Sequence, residues 1–211
     1  MSENKDNKGR SSTGGNKNPL SIKPFKTNKK KIKLNPYMEQ GIIPKFGSPF
    51  MLIVGSSGSG KTTLALNLFT KPNFYGKYFD RENGGVKYLF SETGKIDDLQ
   101  NKLGIKKSNI VTKEDQMIET LKKIMDTQER VIKEHSIEKA KKVLIMFEDV
   151  TSLKRLLRSE ELVRMAVTSR HLNLFPVVIV HKFKSIPRVV RVQCGSLFYF
   201  QGQLSEVEAI V

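Results

Sequence analysis

At 211 residues the chain is long enough for one domain with a substantial core and too short for a second of ordinary size beside it. Its single cysteine, Cys194, excludes an internal disulfide and fits a reducing compartment. Its longest apolar run, Leu174–Val180, falls far short of the ~20 residues needed to cross a bilayer. The formal net charge is +16. Residues 1–45 hold 11 Lys/Arg against three Asp/Glu and the remainder 26 against 18, so each part carries a surplus of eight. A surplus on both parts points to a polyanionic partner, nucleic acid before membrane, because clustered cations release condensed counterions when they meet phosphates. The plainer alternative is a tail that only solubilises. The N-terminus lacks the apolar core of a signal peptide, so a soluble intracellular protein is expected.

Residues 1–35 are rich in Asn, Lys, Ser and Gly and hold too few apolar side chains to offset the entropy of ordering, which predicts a disordered basic tail. Within it, Lys29-Lys30-Lys31-Ile32-Lys33 reads as a nuclear-import signal, a DNA-binding arm or a solvated run. Residues 36–211 then form a single domain. Its ordered part opens at Pro49 with Phe50-Met51-Leu52-Ile53-Val54, apolar on both faces like a central parallel strand. A helix over 64–69 stops near Pro72, and 86–90 reads as the next strand. Between Asp115 and Glu134, apolar residues at helical spacing predict an amphipathic helix covering one sheet face. Strands at 143–147, Leu174–Val180 and 197–200 follow, with a helix over 160–169. Alternating strands and helices imply an α/β fold, a mainly parallel central sheet with helices on both sides. There is no internal repeat.

Gly55-Ser56-Ser57-Gly58-Ser59-Gly60-Lys61-Thr62 matches GxxxxGK[ST] in full, between an apolar strand and a helix, the setting this phosphate-binding loop requires. Its glycines let consecutive backbone N–H groups turn toward phosphates, and the helix N-terminus adds the positive end of its dipole. Lys61 would reach the β and γ phosphates of ATP, Thr62 would give its hydroxyl to Mg²⁺, and Thr63 starts the helix beside it. The second chemical strand ends in Glu148-Asp149. Acids at the C-terminal end of a central parallel strand face the ligand in open α/β sheets. Glu148 is then the metal-side acid, directly or through water, and Asp149 orients the attacking water; a helix cap by Asp149 is the plainer alternative. The common order of such a pair is Asp then Glu, reversed here. A GTPase fits poorly, because Asn101-Lys102-Leu103-Gly104 lacks the acid that would read guanine. A small-molecule kinase stays open.

The loop, the acidic strand end, Ser169-Arg170-His171-Leu172-Asn173-Leu174-Phe175-Pro176 running on to His181, and the later Ile186-Pro187-Arg188-Val189-Val190-Arg191 occur in an order that resembles the poxvirus-type DNA-packaging ATPases of large DNA viruses, virophages and related transposons, in the FtsK–HerA superfamily. The resemblance runs from about Pro49 to Phe200. It implies a P-loop NTPase of RecA/ASCE type that hydrolyses ATP with Mg²⁺, assembles as a homo-oligomeric ring and moves double-stranded DNA into capsids, with capsid proteins as further partners and no membrane. It also implies a γ-phosphate sensor at the end of the strand, usually Gln and here His181. A trans-acting arginine is implied as well, with Arg170 the first candidate, Arg191 the second, and Arg188 facing DNA or structural. The reversed acids and the exchanged sensor together suggest a slow or divergent ATPase. The implied setting is a virus-infected cell, in cytoplasm, virus factory or nucleus, or the virion. The chain ends eleven residues past Phe200, which leaves either a minimal motor or one completed by another protein. An ATP-binding assembly adaptor is the competing class.

Overall fold

The computed structural model describes residues 50–79, 84–92 and 96–200, with the backbone alone at 96–98, and residues 36, 40, 43, 44 and 210 besides. The expected tail and its 29–33 run lie outside the described residues. The strands are β1 Met51–Val54, β2 Val86–Ser91, β3 Ile110–Val111, β4 Val143–Glu148, β5 Leu174–Val180 and β6 Ser196–Tyr199. They form one sheet in the order β3-β2-β4-β5-β1-β6, and every pairing is parallel. The helices are α1 Lys61–Thr70, α2 Ile96–Leu103, α3 Glu114–Glu134, α4 Lys154–Arg158, α5 Glu160–Thr168 and α6 Arg188–Arg191.

The central strands are buried on both faces, as their unbroken apolar runs predict. Alternate residues serve opposite layers: Met51 and Ile53 join one core and Leu52 and Val54 the other. The first layer packs α1 through Ala65, Leu68 and Phe69, and α2 through Leu99 and Leu103. It is dominated by rings, with Phe69, Tyr75, Phe79 and Phe175 at centroid separations of 5.0 to 6.1 Å. The second layer packs α3 through Met117, Leu121 and Met125, and α5 through Leu162 and Met165. Arg164 on α5 bridges to Asp126 and Glu129 on α3 across the outside of that layer. Pro176, which has no ladder donor, falls one step before the first β1–β5 pair, Met51 with Val177.

The mainly parallel α/β sheet expected from the sequence is thus found, and all six strands are parallel. Four short elements escaped the periodicity reading. β3 has two residues, and α4 and α6 have five and four, each too short to show a period. α2 is long enough, but its face is formed only by Leu99 and Leu103 among the described side chains. α1 begins three residues earlier than its apolar pattern, because Gly60, at φ 95°, turns the chain directly into Lys61.

Candidate nucleotide site

Parallel pairing puts the C-terminal ends of all strands on one edge, and the strand order decides which loops meet there. β5 lies between β1, which feeds the phosphate loop, and β4, which ends in the acids. The end of β5 is stitched to both: Gly55 N–H donates to the Val180 carbonyl at 3.2 Å, and Asp149 N–H donates to the Ile179 carbonyl at 3.1 Å. Ser57, Gly58, Lys61, Thr62, Glu148, Asp149, Ile179 and His181 therefore line one cavity of about 230 Å³.

The loop is shaped for close approach. A Cβ on Gly55 would stand 2.6 Å from Phe200 Cβ and 2.8 Å from Ser59 Oγ, so no other residue fits there unless these move. Lys61 is buried, and its Nζ donates to the Ser56 carbonyl at 2.7 Å across the loop. Burial lowers the Lys61 pKa, and the charges of Asp149 and Glu148 oppose that shift. Thr62 Oγ1 donates to Glu148 Oε1 at 3.2 Å, joining the loop helix to the acidic strand. A hydroxyl beside a carboxylate is a hard oxygen set, and Mg²⁺ is ordinarily held by one or two carboxylates together with substrate phosphates, so the residues present fit that ion.

Asp149 occupies the left-handed region, φ 52° and ψ 43°, a strained conformation for a residue with a side chain. It begins a 3₁₀ turn, Val150–Ser152, without making a side-chain cap bond, so its carboxylate is turned to other use. His181 Nε2 lies 3.5 Å from Asp149 Oδ1, an ion pair when the imidazole is protonated. Neither the spacing nor the resemblance had joined these two residues. Ser152 Oγ also donates to Glu92 Oε2 at 2.6 Å, tying this turn to the end of β2.

Arg170 is not in the cavity. It sits in the exposed turn Ser169–His171 at the start of β5, with Nε donating to His171 Nε2 at 3.2 Å. Seven residues of strand, roughly 23 Å, separate it from His181. Arg191 is also outside the cavity, its guanidinium 4.7 Å from the Phe183 ring centroid and its Nε buried. Arg188 is exposed on α6. Sequence reading missed Ile179, which lines the cavity, and Phe200, which supports Gly55 and Gly60. Apolar side chains carry no chemical signature; only their place at strand ends marks them.

The sequence model of the poxvirus A32 protein matches residues 46–211, most of the chain and all of its strands. The chain belongs to the poxvirus A32 protein family. No curated protein matches this A32-family chain significantly by sequence. Among solved structures, the A32-family chain is similar to EssC (ATPases 2 and 3) from Geobacillus thermodenitrificans at 16% identity and TM-score 0.59, over 78% of this chain and 34% of that one. A second structure of the cytoplasmic domain of EssC matches at 14% identity and TM-score 0.58, over 77% and 35%. B204, the DNA-packaging ATPase from Sulfolobus turreted icosahedral virus, matches at 11% identity and TM-score 0.55, over 79% of this chain and 82% of that one. The A32-family chain thus spans about a third of the length of the EssC structures and most of B204. These likenesses establish the P-loop ATPase fold, and the family match bears out the resemblance to the poxvirus-type packaging ATPases.

Proposed function

We propose that the chain is an ATP-hydrolysing DNA motor that packages viral double-stranded DNA. The carrying observation is the 3.2 Å contact between Thr62 and Glu148, which brings the phosphate loop and the acidic strand end to one cavity in a chain matched by the A32 family. The cavity and loop favour a nucleoside triphosphate, and the oxygen set favours Mg²⁺, held by Thr62 and by Glu148 directly or through water. When bound, Mg²⁺ would neutralise charge on the β and γ phosphates. Loop backbone N–H groups beyond Gly55, Lys61 and the α1 N-terminus hold those phosphates, with Thr63 completing the first turn.

Asp149 orients water for attack on the γ phosphorus and takes up its proton as the bond to the β-phosphate oxygen breaks, giving ADP and phosphate. His181, beside Asp149, is the sensor: a hydrogen-bonding group at the end of the strand that also contacts the loop backbone. Among the described residues the cavity lining holds Lys61 and no arginine, which supports a cation delivered by a neighbouring subunit of a ring. Arg170, exposed and remote from its own cavity, is the first candidate, and Arg191 the second. Double-stranded DNA, capsid proteins and further copies of this chain are the partners, inside an infected cell or in the virion. Among the described residues no helix is long and apolar enough to cross a membrane.

The test is ATP turnover with and without double-stranded DNA at fixed salt, with Lys61→Ala as control. Lys61-dependent turnover stimulated by DNA is expected. Turnover indifferent to DNA would favour a small-molecule phosphotransferase, and ATP binding without turnover would favour an assembly adaptor.

A further inference from the structure

Every helix that leaves the nucleotide edge returns the chain to the opposite edge of the sheet, where the next strand begins. Four of these returns are basic. Before β2 comes Lys77, before β3 come Lys106 and Lys107, and before β4 come Lys139, Lys141 and Lys142. Arg170 precedes β5. Counted in the sequence over residues 71–85, 102–109, 133–142 and 169–173, these returns carry eleven Lys or Arg against four acids, Asp80, Glu82, Glu134 and Glu138. The nucleotide edge is mixed, with Glu92, Glu148 and Asp149 beside Lys61, Lys182 and Lys184.

The four returns are joined to one another through their backbones. Val86 N–H donates to the Lys142 carbonyl at 2.9 Å, and Val143 N–H donates to the Asn173 carbonyl at 3.0 Å. Asn173, at φ 52°, donates its side-chain amide to the Ile137 and Ala140 carbonyls at 2.7 and 3.0 Å. Buried Gln128 donates to the Lys141 and Leu172 carbonyls, both at 2.7 Å. Lys87 Nζ donates to the Leu103 carbonyl at 2.6 Å, and Asn109 donates to the Lys87 carbonyl at 3.0 Å. Lys77 and Lys142 both lie over the Tyr78 ring, at 5.2 and 4.6 Å from its centroid. Burial, and secondarily the charge of Lys77, lower the Lys142 pKa, which marks two like charges held together by the fold.

We infer that this edge is the surface that grips the phosphate backbone of duplex DNA, opposite the nucleotide cavity. The inference rests on the DNA-motor reading above and adds where the DNA lies. β3, β2, β4 and β5 are consecutive neighbours in the sheet, so their basic starts form a stripe about 14 Å wide, three strand spacings. That width is comparable with the ~12 Å major groove, whose rims are phosphates. Lysines on a fixed backbone platform meet the backbone charge without reading bases, as a motor that must pass any sequence requires. β5 joins this surface to the nucleotide: Arg170 is at its basic end and His181 at its cavity end.

The experiment measures binding of the full chain to duplex DNA of mixed sequence across a range of salt. The Lys106→Ala, Lys107→Ala, Lys139→Ala, Lys141→Ala quadruple variant is compared with a control lacking four cations elsewhere, Lys113, Lys122, Lys154 and Arg158; all eight are exposed. The first variant is expected to bind DNA at least tenfold more weakly. Its salt slope should fall by up to about 3.6, at about 0.9 for each phosphate no longer neutralised. ATP affinity and DNA-free turnover should be unchanged, and the control variant should stay close to wild type. Equal weakening in both variants, or an unchanged slope in the first, would overturn the placement while leaving the motor reading intact. Failure of the wild-type chain to bind DNA would sink the motor reading and the placement with it. Binding to anionic vesicles in place of DNA would assign the edge to a lipid surface and also overturn it.

Discussion

Asp149 holds two properties at one residue, a left-handed backbone and a carboxylate 3.5 Å from His181. They can be separated by substitution, because Asn tolerates the left-handed region at least as well as Asp but cannot accept a proton from water. Asp149→Asn is expected to keep its thermal stability and ATP affinity while losing on the order of 10²- to 10⁴-fold in turnover. Single-turnover kinetics beside a thermal melt would check this, and full turnover would remove Asp149 from the proton-transfer step. The phosphate loop, with Lys61 and Thr62, was legible from the sequence because its spacing is a local property of eight consecutive residues, Gly55 to Thr62, at the junction of a strand and a helix. The acids were legible for a related reason, since a charged pair closing a five-residue apolar run fits the end of a buried strand. The His181–Asp149 contact was not legible: 32 positions separate the two residues, and only the sheet order makes them neighbours.

At the level of elements, a buried ring between α1 and the sheet should contribute more to stability than a helix cap does. Phe175 on β5 meets Phe69, Tyr75 and Phe79, and it is almost fully buried. Removing a buried ring leaves a cavity as well as forfeiting its transfer energy, so Phe175→Ala should cost about 3–5 kcal/mol. Ser159 caps α5 by accepting the Leu162 N–H at 3.2 Å, and Ser159→Ala should cost only about 1 kcal/mol. Urea melts of the two variants are expected to keep that order, and a reversal would mean that the cluster is not what holds α1 to the sheet. β1, β4 and β5 were readable because a strand buried on both faces is an unbroken apolar run. β3 and α6 were not, since two or four residues show no period and owe their form to neighbours already in place.

For the whole molecule, the separation between Arg170 and its own cavity, one full strand length, makes assembly the natural test of its role. Arg170→Ala is expected to keep ATP affinity and lose turnover, and mixtures with a Lys61→Ala chain that still carries Arg170 should regain activity. Lack of recovery in mixed assemblies of verified composition would argue against action between subunits. By itself the sequence determined that the chain is an α/β protein with a phosphate loop, an acidic strand end and a cationic surplus, because each is written in consecutive residues. It also carried the resemblance to packaging ATPases, through a stretch whose order is fixed along the chain. Only the tertiary structure decided that β5 runs between the loop strand and the acid strand, bringing His181 to Asp149. It alone gathered lysines from three separate returns, and Arg170 from a fourth, onto one edge. The physical reason is the same for both: parallel pairing sorts residues by which end of a strand they adjoin, and that sorting is invisible until the strands have found their neighbours.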